Sequence, residues 1–307
     1  MLELGAEDSG GAVMSGRINL TRRAVIAGTA TGLAMSSVLT SSAAARATDE
    51  LADIERRIGG RIGVAALDTR DGDHIAYHAD ERFAMCSSFK WTLVAAVLSR
   101  IDHGELNLNR RVRFSSIDLL GNSPRTKTHV SEGSLPVSAL CAAAVEVSDN
   151  AAANLLLKLI GGPQSVTHYL RQLGDPTTRL DRIEMALNSN IPGDDRDTTT
   201  PRAIIETMKK ILIGNALTSN SRGLLVGWMK ACQTGRDRLR AGLPLSWIEG
   251  DKTGTGVNGA AVDNAVVWPP GRPPILIAAY LSGSTGSSVA LNKAHAEIAT
   301  VIKKQLA

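Results

Sequence analysis

Strand-like segments lie at both ends of this chain, and the long stretch between them has the pattern of helices. Near the start, GRIGVAALDTRDGDHIAYHAD alternates apolar and polar residues around Asp71-Gly72, which predicts a β-hairpin. Near the end, SWIEGDKTG, AVDNAVVWPP and ILIAAYLSG predict three more strands. The sequence therefore predicts an α/β fold of two lobes. One lobe is a mixed or antiparallel sheet built from both chain ends and flanked by helices, and the other is all-helical.

The order of these segments sets the predicted lobe boundaries. We assign residues 48–82 and 230–307 to the α/β lobe and residues 83–229 to the helical lobe. A chain of 307 residues is long enough to bury a core in such an arrangement. Because clefts between lobes are common ligand sites, we expect the active site between the two.

Residues 1–47 have the features of an export signal and are not expected to join the fold. The pair Arg22-Arg23 precedes a moderately apolar stretch, and a small-residue end follows with Ala45-x-Ala47 as a cleavage motif. This pattern indicates a twin-arginine signal that is removed after export. We therefore expect a periplasmic or secreted protein with no stable membrane association after processing.

The segment FAMCSSFKWTLVAAVLSR contains the first candidate catalytic pair. On a helix, residues three positions apart share a face, so Ser87 and Lys90 are neighbours whereas Ser88 is turned away. A serine becomes a nucleophile when a base takes its proton, and a lysine can be that base or the cation that stabilises the charge. Backbone amides and the dipole at a helix start also favour an oxyanion. Alone the pattern is weak, because a capping serine and a surface lysine also produce it.

Two further motifs follow in the same chain. SDN, residues 148–150, directly precedes an apolar helix, which it could simply cap. KTGTG, residues 252–256, lies in a predicted strand, where glycines weaken the sheet and call for an explanation such as the close approach of a ligand. The three motifs in this order resemble the serine β-lactamases and the penicillin-binding proteins.

A fourth stretch, RLDRIEMALNSNIPGDDRDTTTP, distinguishes these two families. Residues 179–197 resemble the omega loop of class A β-lactamases. Glu184 and Asn188 match the pair that holds the deacylating water, and Arg182 with Asp197 matches the ion pair that fixes the loop. Penicillin-binding proteins lack this Glu/Asn loop, so their acyl-enzymes persist.

The resemblance covers residues 48–307 and implies a class A serine β-lactamase. Such an enzyme hydrolyses the lactam amide of penicillin- and cephalosporin-type antibiotics and so confers resistance. It also reacts with mechanism-based lactam inhibitors, and it uses no metal and no organic cofactor. We expect a monomer.

The resemblance also implies a role for each matched residue. Ser87 would attack the lactam carbonyl, and its proton would leave through Lys90 or through a water held by Glu184. Ser148 would relay a proton to the departing lactam nitrogen, and Glu184 with Asn188 would deliver the hydrolytic water. The implied substrate-binding residues are Asn150 for the side-chain amide, the amides of Ser87 and Thr255 for the oxyanion, and Lys252, Thr253, Gly254, Thr255 and Arg238 for the carboxylate.

Several positions depart from the family pattern. Asn122 stands where an aromatic residue often guards the cavity, so stacking against a substrate should be weaker. Ala261 stands where many class A enzymes carry an arginine. Arg238 matches a substitute arginine, which we expect to brace Thr253 and Thr255 with charge-assisted hydrogen bonds. The competing interpretation is a solvated arginine in a run of surface charges.

The three cysteines, Cys86, Cys141 and Cys232, lie in apolar helical stretches. The first two match half-cystines of some family members, but the partner positions here are Gly256 and Val94. We therefore expect buried free thiols and no disulfide.

Other functions fit the sequence less well. Aromatic residues make up only 3% and no run of Lys or Arg exceeds two, which argues against nucleic-acid binding. No G-x-S-x-G elbow, H-E-x-x-H motif or phosphate loop is present, and His74 and His78 have no further metal ligands nearby in the sequence. The remaining alternatives are a cell-wall D,D-peptidase and a penicillin sensor domain that binds the drug covalently without turnover. Glu184 argues against both.

Overall fold

The central sheet is built from both ends of the chain. A computed structural model describes residues 45–306. Five strands form the sheet: β1 (Arg61–Asp68), β2 (His74–Tyr77), β7 (Ile248–Thr255), β8 (Ala261–Trp268) and β9 (Ile275–Ser282). They are antiparallel in the order β2-β1-β9-β8-β7, so the first and last of these strands lie side by side. The predicted hairpin and the three predicted C-terminal strands are confirmed.

Helices occupy most of the intervening segment and both flanks of the sheet. They are α1 (45–58), α2 (Phe89–Asp102), α3 (Pro124–Thr128), α4 (Val137–Glu146), α5 (Asn150–Ile160), α6 (Pro163–Gln172), α7 (Pro201–Met208), α8 (Ser219–Lys230), α9 (Leu239–Gly242) and α10 (Ser288–Leu306). The remaining strands are short: β3 (Phe83–Ala84) pairs with β6 (Thr198–Thr199), and β4 (Arg111–Arg113) pairs with β5 (Ser134–Pro136).

Alternate side chains of the sheet belong to two different cores. Val64 and Ala66 of β1 lie in the apolar cluster that contains residues of α1 and α10, whereas Ala65 lies in the cluster that contains α2, α4 and α5. This is the period of two that a strand imposes on its side chains. The sheet is therefore covered on both faces, by the terminal helices on one side and by the helical segment on the other.

Local signals in the sequence account for several helix ends. The Thr200 hydroxyl accepts a hydrogen bond from the Ala203 amide at 3.2 Å and so caps α7. α5 ends at Gly161, whose φ of +95° is the left-handed conformation that favours glycine. The segment toward Gly214 is only partly α-helical, because Lys209–Ile213 continue α7 as a π-helical turn.

The predicted export signal lies mostly outside the described residues, and the described residues do not divide at the predicted lobe boundary. The export signal was predicted at residues 1–47, of which 1–44 lie outside the described residues, while Ala47 is buried in the core. Residues 45–306 lie in one compact unit, so the boundary between two lobes stays a prediction. Within the described range, none of the helices has the length and hydropathy that crossing a membrane requires.

Candidate active site

A tight turn against the edge strand presents the predicted nucleophile. Ser87 lies in a 3₁₀ turn, Cys86–Ser88, that immediately precedes α2. A Cβ on Gly254 of β7 would lie 2.6 Å from the Met85 carbonyl oxygen and 3.0 Å from the Ser88 nitrogen. The glycine in this strand is therefore required by the chain's own backbone, where the sequence had suggested the approach of a ligand.

The two adjacent serines have different environments. The Ser87 Oγ donates to Glu184 Oε1 at 2.9 Å and accepts from Lys90 Nζ at 2.9 Å. The Ser88 hydroxyl instead donates to the Met85 carbonyl at 2.7 Å and is buried. Ser87 is thus placed beside the lysine, as the helical spacing predicts, and Ser88 is directed into the protein.

Lys90 is completely buried among polar partners. Its Nζ lies 2.6 Å from Asn150 Oδ1, 2.9 Å from the Ser148 carbonyl oxygen and 2.8 Å from Glu184 Oε1. Burial lowers the pKa of Lys90 to about 8, with Glu184 opposing the shift and Lys252 adding to it. A lysine with such a pKa can hold or release a proton near neutral pH.

Ser148 stands between two buried lysines. Its Oγ lies 3.3 Å from Lys90 Nζ and accepts a hydrogen bond from Lys252 Nζ at 3.1 Å. Burial also lowers the pKa of Lys252. The backbone at Ser148 has a φ of +57°, an uncommon conformation that the neighbouring contacts must hold in place. Asp149 contributes by accepting from the Thr126 amide at 2.9 Å and capping α5 at Ala152.

The omega-loop residues meet the nucleophile from the opposite side. Glu184 Oε1 receives the Ser87 hydrogen bond, and its Oε2 accepts from Asn188 Nδ2 at 2.7 Å. The Arg182 guanidinium pairs with the buried carboxylate of Asp197, which also accepts from the Asp181 and Arg182 amides. The structure thus brings together the two pairs that were matched by resemblance.

Asn154 was not identified from the sequence. Its side chain donates to the Glu184 carbonyl at 2.9 Å and accepts from the Glu184 amide at 2.9 Å. It lies on α5, four residues after Asn150 and therefore on the same helix face. The one signal for Asn154 in the sequence was a polar residue among the apolar residues of NAAANLLLKLI.

Arg238 is a buried residue with four short contacts. Its guanidinium donates to the carbonyls of Gly254 at 2.7 Å and Val262 at 2.6 Å, to Thr255 Oγ1 at 2.7 Å and to Asn292 Oδ1 at 3.1 Å. With 7% of its surface exposed, it is not a solvated surface arginine.

The expected bracing by Arg238 holds for one threonine and not for the other. The Thr253 hydroxyl is paired with the Thr234 hydroxyl at 2.5 Å, whereas Arg238 reaches Thr255. The two threonines are two residues apart on β7, and the guanidinium contacts Thr255, the second of them. Ala261 pairs with Thr255 across the sheet.

Asn122 makes two hydrogen bonds with the SDN turn. Its Nδ2 donates to the Ser148 carbonyl oxygen at 2.9 Å, and its own carbonyl accepts from the Asn150 amide at 2.9 Å. Asn150 Nδ2 in turn donates to the Gly121 carbonyl at 2.6 Å. Asn122 therefore supports the SDN turn in addition to lining the cavity.

These groups surround one open cavity of about 770 Å³. Its lining includes most of the predicted site residues: Ser87, Ser148, Asn150, Asn188, Arg238, Thr253, Gly254 and Thr255. Lys90, Lys252 and Glu184 are buried directly behind this lining. The cavity combines a serine, adjacent proton carriers and a cationic end, which together suit acyl transfer on a small anionic substrate.

The three cysteines are buried and free, as predicted. Burial raises the pKa of the Cys86 thiol, so the residue beside Ser87 stays protonated at neutral pH. Within residues 45–306, no three His, Cys, Asp or Glu side chains are grouped so that they could hold a metal ion.

Comparisons with known proteins agree with this geometry. The model of the β-lactamase enzyme family matches residues 46–306. The chain is 49% identical over 233 residues to the carbapenem-hydrolyzing β-lactamase KPC of Klebsiella oxytoca, covering 76% of this chain and 79% of that protein. It is 43% identical over 261 residues to β-lactamase OXY-1 of Klebsiella oxytoca, covering 85% and 89%.

Solved structures show the same likeness. An ancestral class A β-lactamase of Gram-negative bacteria superposes with a TM-score of 0.83 at 50% identity, covering 84% of this chain and 99% of that one. The putative class A β-lactamase PenP from Rhodopseudomonas palustris superposes with a TM-score of 0.83 at 46% identity, with the same coverage of both chains. At such identities the likeness extends beyond the fold to the family.

Proposed function

Because this chain belongs to the class A serine β-lactamases, we propose that Ser87 is the nucleophile with which it hydrolyses lactam antibiotics. The observation that carries this assignment is the position of the Ser87 Oγ, 2.9 Å from both Lys90 Nζ and Glu184 Oε1. A hydroxyl between two groups that can take its proton is an activated serine.

In the acylation step, the Ser87 Oγ attacks the lactam carbonyl carbon. Its proton passes to neutral Lys90, a route that the lowered pKa of this lysine supports, or to Glu184, either through a water or directly across their 2.9 Å contact. The backbone amides of Ser87 and Thr255 bind the resulting oxyanion. As the C–N bond breaks, Ser148 gives a proton to the lactam nitrogen and is reprotonated through the lysines on either side.

In the deacylation step, Glu184 and Asn188 hold a water against the ester. Glu184 takes a proton from this water, whose oxygen bonds to the acyl carbon while the bond to Ser87 Oγ breaks and the serine is reprotonated. The contact between Asn188 Nδ2 and Glu184 Oε2 supports this role, because it leaves Oε1 directed at Ser87. This second step distinguishes a β-lactamase from the D,D-peptidase and the sensor domain.

The cationic end of the cavity receives the substrate's carboxylate. Lys252 is buried on β7 beside Ser148, Thr253 and Thr255 supply hydroxyls, and Arg238 orients the second hydroxyl. Gly254 lets this strand lie against the Ser87 turn, and Asn150 binds the side-chain amide of the drug. Penicillins, cephalosporins and mechanism-based lactam inhibitors share the carboxylate and the reactive lactam amide. One relative, KPC, is named as an enzyme that also hydrolyses carbapenems.

The same proposal includes the cellular setting. The paired arginines and small-residue end within residues 1–47 support export by the twin-arginine route to the periplasm or beyond. The mature enzyme then acts as a monomer of two lobes with the cavity between them. One lobe comprises residues 48–82 and 230–307, and the other comprises residues 83–229.

Intact mass spectrometry with benzylpenicillin tests the assignments of Glu184 and Ser87. Glu184→Ala should accumulate the acyl-enzyme, seen as a mass increase equal to that of the drug, because only the water-activating group is lost. Ser87→Ala should form no adduct. Ser88→Ala is the matched control and should turn over normally, since its hydroxyl contacts Met85 inside the protein. An adduct that persists in Ser87→Ala, or wild-type turnover by Glu184→Ala, would refute the assignment.

A further inference from the structure

The buried side chain of Lys90 is surrounded by more hydrogen-bond acceptors than it has protons. Its Nζ lies within 3.3 Å of five oxygen atoms: Ser87 Oγ, Asn150 Oδ1, Glu184 Oε1, and both the carbonyl oxygen and the Oγ of Ser148. A lysine has three N–H protons when it is charged and two when it is neutral. Some of these acceptors therefore receive no proton from Lys90 at any moment, and their number rises when the lysine becomes neutral.

The carbonyl oxygen of Ser148 has a second donor, whose charge does not change. Asn122 Nδ2 donates to this oxygen at 2.9 Å, the same distance as Lys90 Nζ. The backbone at Ser148 has a φ of +57°, so the orientation of this turn depends on the contacts that hold it. When Lys90 changes its protonation state and its hydrogen bonds rearrange, the amide of Asn122 remains a donor. It therefore keeps the Ser148 carbonyl in place during proton transfer.

Backbone contacts attach the loop of Asn122 to the SDN turn without the Asn122 side chain. The Asn122 carbonyl accepts from the Asn150 amide at 2.9 Å, and the Thr126 amide donates to the Asp149 carboxylate at 2.9 Å. Loss of the Asn122 side chain therefore leaves the loop attached. What disappears is the one hydrogen bond to the Ser148 carbonyl that is independent of the lysine.

We propose that Asn122 is a positioning residue for the protonation of the lactam nitrogen. The inference rests on the proposed function, in which the lactam C–N bond breaks, its electron pair goes to the nitrogen, and the nitrogen takes the hydroxyl proton of Ser148. Ser148 regains a proton from a neighbouring lysine. This transfer requires the Ser148 Oγ to stay between Lys90 and Lys252. By holding the carbonyl of the same residue, the Asn122 amide fixes the direction of that hydroxyl.

A leaving group that needs no proton separates this role from a contact with the substrate. Benzylpenicillin is compared with the phenylacetylglycyl ester of 3-hydroxybenzoic acid, which has the same phenylacetamido group. When the ester C–O bond breaks, the phenolate leaves with the electron pair as a stable anion and does not require the Ser148 proton. The measurement is the ratio of kcat/KM for benzylpenicillin to kcat/KM for the ester. A residue that only contacts the phenylacetamido group, or only supports the fold, affects both substrates equally.

Asn122→Gly should lower this ratio by about three- to tenfold, which corresponds to the loss of one neutral hydrogen bond. Asn122 has a φ of +56°, which glycine adopts without strain. Asn122→Asp is the second variant, because it keeps the size of the side chain but lacks the N–H donor. It should lower the ratio as well. Both substrates carry a carboxylate, so repulsion by the new charge affects them alike.

His78→Gly is the matched control, because His78 also has a positive φ, of +44°, and lies outside the cavity. It should leave the ratio unchanged. An equal fall in kcat/KM for the two substrates in both Asn122 variants, or no fall for either substrate, would overturn the proposal. Failure of the wild-type enzyme to hydrolyse benzylpenicillin would instead refute the proposed function.

Discussion

The guanidinium of Arg238 is buried, and it donates hydrogen bonds to groups inside the protein. Two go to carbonyl oxygens, of Gly254 and Val262, and one goes to the Thr255 hydroxyl that faces the cavity. Burial lowers its pKa from the ordinary value, with Asp263 opposing the shift, but an arginine remains charged at neutral pH. A permanent positive charge therefore lies directly behind the proposed carboxylate site.

Removing this charge should weaken catalysis for every substrate that carries the carboxylate. A hydrogen bond to a charged group contributes about 1.5–3 kcal/mol, so we expect Arg238→Ala to lower kcat/KM by roughly ten- to a hundredfold. Arg236→Ala is the control, because Arg236 is exposed two residues away. Adding Ala261→Arg to Arg238→Ala should restore part of the loss, since Ala261 is the cross-strand partner of Thr255. Equal, small losses in the two single variants would place the cation elsewhere.

Single residues also show where sequence reasoning succeeds and where it stops. The choice of Ser87 over Ser88 follows from helical spacing, although the turn itself is 3₁₀, because both helices place residues three apart on nearly the same side. The link between Asn122 and the Ser148 carbonyl could not be predicted, because it joins a side chain to a backbone atom 26 residues away. No local pattern encodes such a contact.

At the scale of elements, the omega loop is held at several independent points. Asn154 of α5 binds both backbone groups of Glu184, and the buried Asp197 carboxylate binds Arg182. At the far end of the loop, Asn190 Nδ2 donates to the Asn258 carbonyl at 3.0 Å. Regular secondary structure contributes little: the loop contains one 3₁₀ turn, Ala186–Asn188. The position of Glu184 therefore depends on a few side-chain contacts, which makes deacylation sensitive to each of them.

Asn154→Leu tests this dependence at its nearest point. The apolar side chain has a similar size but leaves the Glu184 amide and carbonyl without their partner, which costs about 1–3 kcal/mol. We expect the acylation rate constant to be nearly unchanged and the deacylation rate constant to fall by about tenfold, as measured by pre-steady-state kinetics. Lys158→Ala, one turn further along α5 and exposed, should change neither rate constant. Equal losses in both steps would show that Asn154 serves general stability instead.

The predicted elements were largely confirmed because their signals are local. Alternation gave the N-terminal hairpin and strand-like runs gave the three C-terminal strands, while a cap such as Thr200 and a stop such as Gly161 mark helix ends. The two-residue strands β3 and β6 were not predicted, since pairs such as Phe83 with Thr199 form only after the whole chain has folded. The role of Gly254 was misjudged for the same reason, because the atoms close to it belong to a distant segment.

At the scale of the whole molecule, three buried carboxyls behind the active site couple folding to pH. Glu249 and Asp251 of β7 and Asp263 of β8 are all buried. Arg240 lies beside Glu249 and Asp251, and the charge of Arg238 acts on Asp263. Burial raises the pKa of Glu249 to about 9, and the neighbouring Asp263 and Asp251 add to this shift. Burial also raises the pKa of Asp251 and of Asp263. In the folded protein these groups therefore bind protons at pH values where the unfolded chain has lost them.

The sign of the effect on stability follows from proton linkage. Where the folded state holds more protons than the unfolded state, the free energy of unfolding falls as pH rises. For Glu249 this window runs from about 4.5 to about 9. Two other buried groups act in the opposite direction, because they hold fewer protons in the folded state than in the unfolded state. The pKa of His295 is lowered from 6.5 to about 3, which opposes the carboxyls in the lower part of this pH window. The pKa of Lys90 is lowered from 10.5 to about 8, which opposes them in the upper part. Buried Lys252, whose pKa is also lowered, opposes the carboxyls as well. Between pH 6.5 and 8 we expect the three raised carboxyl pKa values to outweigh these opposing shifts.

We therefore expect urea-induced unfolding to give a free energy that decreases from pH 6.5 to pH 8, with a shallower slope in Glu249→Gln. The amide keeps the shape of the neutral acid and cannot ionise, so its share of the linkage disappears. Glu105→Gln, at an exposed turn after α2, should retain the wild-type slope. If Glu249→Gln and wild type had equal slopes, Glu249 would already be ionised in the folded enzyme. Arg240, 3.6 Å from Glu249 Oε2, would then be the group that stabilises that charge.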